Sequence, residues 1–250
     1  MLAIMSAMSE EINDLVSELT NKKTVTFGMR DYHTGKLWGS EVVLVFSRWG
    51  KVAAAVTTTH LISHFKATEI IFTGVAGGVS PEMNIGDIVV GTGFYQHDMD
   101  ARPIFKRHEI PLIGLTAFSS DGNVRDRLHE ASKDFLDNEF KNVISESHRD
   151  EFSLSSPKSL LGEIASGDQF FASSEKLQDL RERLPKVLCV EMEGAAVAQV
   201  CHEYQVPFAV VRTISDSANE HASINYQKFL SKVASQYSKG ILSEFLSRKT

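Results

Sequence analysis

Acidic side chains gather at three places in this 250-residue chain, and their neighbours suggest what they could do. Val190-Glu191-Met192-Glu193-Gly194 follows the apolar run Leu188–Glu191, and Arg212-Thr213-Ile214-Ser215-Asp216 closes a second run, Pro207–Ile214. Short apolar runs of this kind read as buried strands. Carboxylates at strand ends in an α/β fold face the crevice where ligands bind. Glu10 and Glu11 add a third acidic pair near the N-terminus. Several carboxylates with one arginine suit acid–base chemistry that needs no metal. Singly, each feature has a plainer reading. Glu10-Glu11 at a helix start is a dipole-favoured, solvated pair, and Arg212 with Asp216 is a structural ion pair.

Other motifs are weaker. Gly74-Val75-Ala76-Gly77-Gly78 follows a strand and could cradle a ligand on backbone N–H groups, although a structural turn is the commoner use of such a run. It is not GxGxxG, and Gly50-Lys51 lacks the rest of a phosphate loop. His97-Asp98 resembles a fragment of a metal site or triad, but a loop His–Asp pair usually holds structure. Phe170-Phe171, after Ser166-Gly167-Asp168, could stack on an aromatic base or fill the core. HExxH, GxSxG and Cys/His clusters are absent, which argues against zinc and serine-hydrolase chemistry.

Elements must bring these residues together. Leu2–Ala7 reads as a first buried strand, and Ser9 as the N-cap of a helix whose inner face is Ile12, Leu15 and Leu19. Thr24–Phe27, Arg30–Thr34 and Glu41–Phe46 read as a meander. A small-residue helix runs from Gly50-Lys51 to about His64. Glu69–Thr73, Gly86–Val90 and Leu161–Ser166 are further strands. Segments 123–140, 173–183 and 194–204 read as helices, and the last helix covers Tyr226–Ser247 with one apolar stripe for core packing. Segment 97–120 is irregular, and 141–158 is a polar surface excursion. Strands and helices alternate without strict order, so the expected fold is a single α/β domain over 1–250, with a mixed central sheet flanked by helices.

Composition narrows the function. A net charge of -6 with no long basic run argues against nucleic acid and anionic membranes as partners. The N-terminus meets charge at Glu10 without a basic start, so it does not read as a signal peptide. No apolar run approaches the roughly 18 residues that span a bilayer. Cys189 and Cys201 lack metal or redox spacing and read as reduced core thiols of a cytoplasmic protein.

Taken in order, the motifs resemble the 5′-methylthioadenosine/S-adenosylhomocysteine nucleosidase family of the purine nucleoside phosphorylase-like superfamily. The matching segments are Ala7–Glu11, Gly50–Ala53, Thr73–Gly78, Gly86–Val90, Gln96–Asp98, Ser166–Phe170, Val190–Gly194 and Arg212–Asp216. The resemblance spans nearly the whole chain. It implies a nucleoside phosphorylase-like fold, hydrolytic release of adenine from a 5′-thio-substituted ribose, no cofactor and a homodimer.

It also implies roles. Asp216 would protonate adenine N7 and Glu11 would take the proton of the attacking water. Arg212 would help hold that water. The two carboxyl groups divide the work as in glycoside hydrolysis, where the sugar becomes oxocarbenium-like. Glu193 would bind the ribose hydroxyls, with Met192 packed beside the ribose. Phe170 would stack on adenine, with the Phe171 backbone reading its edge. Met8, Trp49 and Tyr226 would line the 5′ end, and Val75, Ala76, Gly77, Glu191 and Ser215 complete the substrate-contacting set. Ile104 and Phe105 would close over the partner subunit's pocket. The chain departs from the family at Val75, where a small hydroxyl residue is common, and at Trp49 and Tyr226, which replace an aliphatic residue and Phe.

Three rival readings share parts of this pattern. A phosphorylase needs cations to hold phosphate, and the loop Ser6–Glu11 is acidic. A nucleosidase for aminodeoxyfutalosine would share the adenine–ribose end. A non-catalytic binding protein on this fold would not be expected to keep both Glu11 and Asp216.

Overall fold

The computed structural model describes residues 1–220 and 222–248; positions 249 and 250 of the expected domain lie outside the described residues. In chain order the elements are β1 (Leu2–Ser6), α1 (Ser9–Ser17), β2 (Thr20–Phe27), β3 (Arg30–Leu37), β4 (Ser40–Phe46), α2 (Lys51–Ser63), β5 (Glu69–Thr73), β6 (Val75–Gly78), β7 (Ile88–Gln96), β8 (Phe118–Ser119), α3 (Gly122–Asp134), α4 (Phe140–Val143), α5 (Glu146–Glu151), β9 (Ser159–Ser166), α6 (Ser174–Arg183), β10 (Val187–Glu191), α7 (Gly194–Tyr204), β11 (Phe208–Asp216), α8 (Ala222–Phe229) and α9 (Ser235–Ser247).

The strands join in the order β2-β3-β4-β1-β5-β11-β6-β10-β9-β7-β8, and β11 pairs with β7 as well. The expected mixed sheet is therefore present, with one refinement. The second pairing closes β11, β6, β10, β9 and β7 into a ring. β11 serves both halves: Phe208–Val210 pair in parallel with β5, Val211–Thr213 run antiparallel to β7, and Thr213–Asp216 pair with β6. All nine residues of β11 are buried, as a strand covered on both faces must be.

Alternation sorts the core into layers. On β1, Leu2 and Ile4 pack with α3 and α9 residues such as Leu128 and Ile241. Ala3 and Met5 face the opposite way, towards Ala54 and Leu61 of α2 and Ala195 and Ala198 of α7. Small residues on α2 and α7 allow those two helices to pack together over the sheet. One edge of the sheet is β2, exposed throughout, and its Lys22 and Lys23 discourage pairing with another strand.

Several sequence expectations need correction. Ser9 is the first residue of α1, not its cap; Met8 holds the cap position and the Ser9 hydroxyl bonds Glu10 at 3.0 Å. The glycine-rich run after β5 is mostly strand, since β10 and β11 supply partners for Val75–Gly78. The helices expected over 123–140 and 226–247 each contain a π-helical turn, Phe135–Glu139 and Leu230–Ala234, and the second begins earlier, at Ala222. The polar segment 141–158 is anchored: Ile144, Phe152 and Leu154 are buried in the main core.

Candidate active site

The parallel strands deliver their carboxyl ends to one cleft of about 320 Å³, a volume suited to a small ligand. Its walls are the end of β1 (Ala7, Met8), Trp49 before α2, Gly74–Gly77 after β5, Gln169–Phe171 after β9, Val190–Glu193 at the end of β10, Arg212, Ser215 and Asp216 on β11, and Ser223, Tyr226 and Gln227 on α8. The expected residues Met8, Trp49, Val75, Ala76, Gly77, Phe170, Phe171, Glu191, Met192, Glu193, Ser215 and Tyr226 all lie in this wall. Gln169, Ser223 and Gln227 join them, beyond what the sequence motifs indicate. Ser223 and Gln227 share the face of Tyr226, at helical spacing, and an earlier start to α8 was the signal that would have found them.

Asp216 is buried at the end of β11. Its Oδ2 accepts the Ser215 hydroxyl at 2.8 Å and its Oδ1 accepts the Ala218 N–H at 2.8 Å. Burial raises the pKa of its carboxyl, and these two bonds oppose the rise without cancelling it. Val75 offers no hydroxyl, so Ser215 supplies the one Asp216 receives. Gly77 is needed beside it, because a Cβ there would sit 3.0 Å from both Asp216 Oδ1 and the Ala218 Cβ.

Arg212 and Asp216 do not form the structural pair that their spacing suggests. The Arg212 Nη2 donates to Glu191 Oε2 at 2.7 Å, with both side chains almost wholly buried. The guanidinium also lies over the Phe72 ring, 4.1 Å from its centroid. Glu191 is saturated from within the protein: Ser166 donates to Oε1, and the N–H groups of Glu193 and Gly194 donate from the start of α7. Its carboxylate thus fixes Arg212 and the helix N-terminus together.

Glu193 has more freedom. Its Oε1 accepts the Gly50 N–H at 2.8 Å. Burial, with the Glu191 charge next in size, pushes its pKa up to about 7. Gly50 adopts φ +91, a left-handed conformation that suits glycine.

Glu11 is not in the cleft wall. It is buried behind it on α1, where the Ser6 hydroxyl donates to Oε2 and the Ser238 hydroxyl donates to Oε1 at 2.8 Å. Burial raises its pKa against those two bonds and the attraction of Arg212. Its neighbour Glu10 is exposed, as the plainer reading expects.

The aromatic residues divide between cleft and core. Phe170 is half exposed and meets Tyr226 edge-on at 5.7 Å. Phe171 is buried against His97. Tyr226 donates its hydroxyl to the Met8 sulfur at 3.3 Å, and Trp49 donates to the Ala7 carbonyl at 2.8 Å. The His97-Asp98 pair is structural: Asp98 accepts Lys51 Nζ at 2.6 Å and the Asp168 N–H at 2.9 Å. Ile104 and Phe105 lie outside the cleft, and Ile104 is 81% exposed. Among the described residues, no three His, Cys, Asp or Glu side chains gather as a metal site, and no helix is long and apolar enough to cross a membrane.

Fold and cleft define a class. The model of a family described as the phosphorylase superfamily matches residues 1–247. The 5′-methylthioadenosine/S-adenosylhomocysteine nucleosidase of Bacillus subtilis (strain 168) is 34% identical over 234 residues, 93% of each chain. The crystal structure of the Neisseria meningitidis enzyme of that name, in complex with methylthio-immucillin-A, superposes with TM-score 0.85 at 35% identity and covers 98% of this chain and 97% of its own. A futalosine hydrolase of Helicobacter pylori strain 26695 superposes with TM-score 0.84 at 29% identity, over 99% of this chain and 97% of its own. The chain belongs to the phosphorylase superfamily and, within it, to the 5′-methylthioadenosine/S-adenosylhomocysteine nucleosidase family.

Proposed function

We propose that the protein hydrolyses the N-glycosidic bond of 5′-methylthioadenosine and S-adenosylhomocysteine, releasing adenine and the thioribose. The observation that carries this reading is the cleft itself. It places a buried carboxyl of raised pKa, Asp216, within one wall that also holds Glu193 and the accessible ring of Phe170. Adenine leaves badly as an anion, so a group that stays protonated near neutrality is what its N7 requires. On this reading Asp216 is the general acid and Glu11 the base for water. Glu193 binds the ribose hydroxyls, and its ionised form favours the cationic sugar. Arg212 holds the water-side network through Glu191. Phe170 stacks on the base, Met192 packs by the ribose, and Met8, Trp49 and Tyr226 receive the 5′ substituent. The reaction needs no cofactor.

The test is adenine release from methylthioadenosine, adenosylhomocysteine and inosine, with and without phosphate. We expect release from the first two, unaffected by phosphate, with free thioribose as product. A ribose 1-phosphate product seen by mass spectrometry would overturn hydrolysis. The likeness to a futalosine hydrolase supports a second activity on aminodeoxyfutalosine, which has the same adenine–ribose end.

We infer that residues 1–250 form one domain and act as a homodimer in the cytoplasm. Support for the dimer is the exposure of Met29, Trp49, Val52, Ile104 and Leu112, large apolar side chains that a monomer leaves in water. Free, buried Cys189 and Cys201 agree with a reducing compartment.

A further inference from the structure

Glu11 has two hydroxyl partners, and they are not equivalent. Ser6, at the end of β1, donates to Glu11 Oε2 and receives the Met8 N–H at 2.9 Å. Ser238 comes from α9, 227 positions away, and donates to Oε1 at 2.8 Å. It is buried, and its oxygen also meets the Thr73 hydroxyl at 2.8 Å. A hydroxyl has one proton to give and two lone pairs. While Glu11 is ionised, Ser238 gives its proton to the carboxylate, so Thr73 must be the donor to Ser238. The chain of hydroxyls therefore points at Glu11.

A base must also fit its protonated state. When Glu11 takes a proton from water, the water O–H bond breaks as the Glu11 O–H bond forms. A protonated carboxyl oxygen keeps acceptor capacity, so Ser238 goes on donating to Oε1 with Thr73 donating behind it. Ser6 is backed by the Met8 N–H in place of a hydroxyl. The proton count is conserved: one leaves the water and arrives on Glu11, and none leaves the hydroxyl chain.

We propose that Ser238, backed by Thr73, is the positioning residue that holds Glu11 in both protonation states, so that the last helix of the chain sets the strength of the base. This rests on Glu11 being the base. The charges that face Glu11 are Arg212 on β11, itself paired with Glu191, and Glu10 on α1; the Tyr226 phenol on α8 also lies within electrostatic reach.

The test is the pH profile of kcat/KM for methylthioadenosine in Ser238→Ala, Thr73→Val and Glu11→Gln. Removing the Ser238 donor takes away a bond to a charged group, so the acid limb should move up by about one pH unit. Thr73→Val, nearly isosteric, should lower plateau kcat severalfold and leave KM within about twofold, because Ser238 loses the donor behind it while no group proposed to touch substrate changes. Thermal melts identify a variant that fails to fold, and Thr73→Val then carries the test. If Glu11→Gln retains wild-type activity, the base assignment falls. If Glu11→Gln is inactive yet the acid limb of Ser238→Ala and the kcat of Thr73→Val are both unmoved, the assignment to Ser238 is overturned while the base stands.

Discussion

A carboxyl that must deliver a proton near neutrality has to hold it there, and burial raises the Asp216 pKa in that direction. Asp216→Asn keeps the shape and cannot deliver the proton; Glu11→Gln keeps the shape and cannot take one. Each should lower kcat by about 10²–10⁴-fold or more without unfolding the protein. A substrate whose purine leaves without protonation should rescue Asp216→Asn and leave Glu11→Gln inactive. Equal rescue of both, or of neither, would show that the acid and base are misassigned. Glu193 gives a stability prediction with a definite sign. Its pKa rises from an ordinary 4.5 to about 7 on folding. The folded state thus binds more protons than the unfolded state in this window. The stabilisation is complete below pH 4.5 and is lost as pH rises through about 7. Glu193→Gln should flatten this fall, read as a urea midpoint that drops less between pH 5 and pH 8 in the variant than in wild type. Midpoints of wild type and variant that run parallel would refute it.

At the scale of elements, the strand ends were legible because each carries a chemical residue after an apolar run. Glu69–Thr73 and Gly194–Tyr204 are found as expected from the sequence. The rest was hidden for physical reasons. Val75–Gly78 has too few side chains to show a strand period, and only its partners β10 and β11 make it one. The Arg212–Glu191 pair joins residues 21 apart through sheet register, which local spacing does not encode. Ser238 is one serine among many until α9 docks. Breaking the Arg212–Glu191 pair should be costly, since it strands a buried charge: Arg212→Met should destabilise by about 3–5 kcal/mol in urea unfolding. On the proposed function, an S-methyl group would gain burial against Met8, Trp49 and Tyr226, which line the cleft. With about 0.8 kcal/mol per buried carbon and a thioether beside it, methylthioadenosine should exceed adenosine in kcat/KM by roughly tenfold or more. Equal values would place the substituent elsewhere.

For the whole molecule, the exposed apolar residues on β3-side turns, α2 and the 97–120 segment are where the proposed dimer would bury surface. Sedimentation at micromolar concentration should give a dimer, and Ile104→Asp with Leu112→Asp should shift it towards monomer; a wild-type monomer would refute the dimer. The double role of β11 reaches further. Arg212 and Asp216 lie on one strand, so a slip of one residue would turn each to the face opposite its own. The same slip would unseat the pairings with β5, β7 and β6 at once. Turnover thus works as a gauge of strand alignment. Activity and near-ultraviolet dichroism should vanish at the same denaturant concentration, because a chain with its sheet closed out of step has no functioning half to measure.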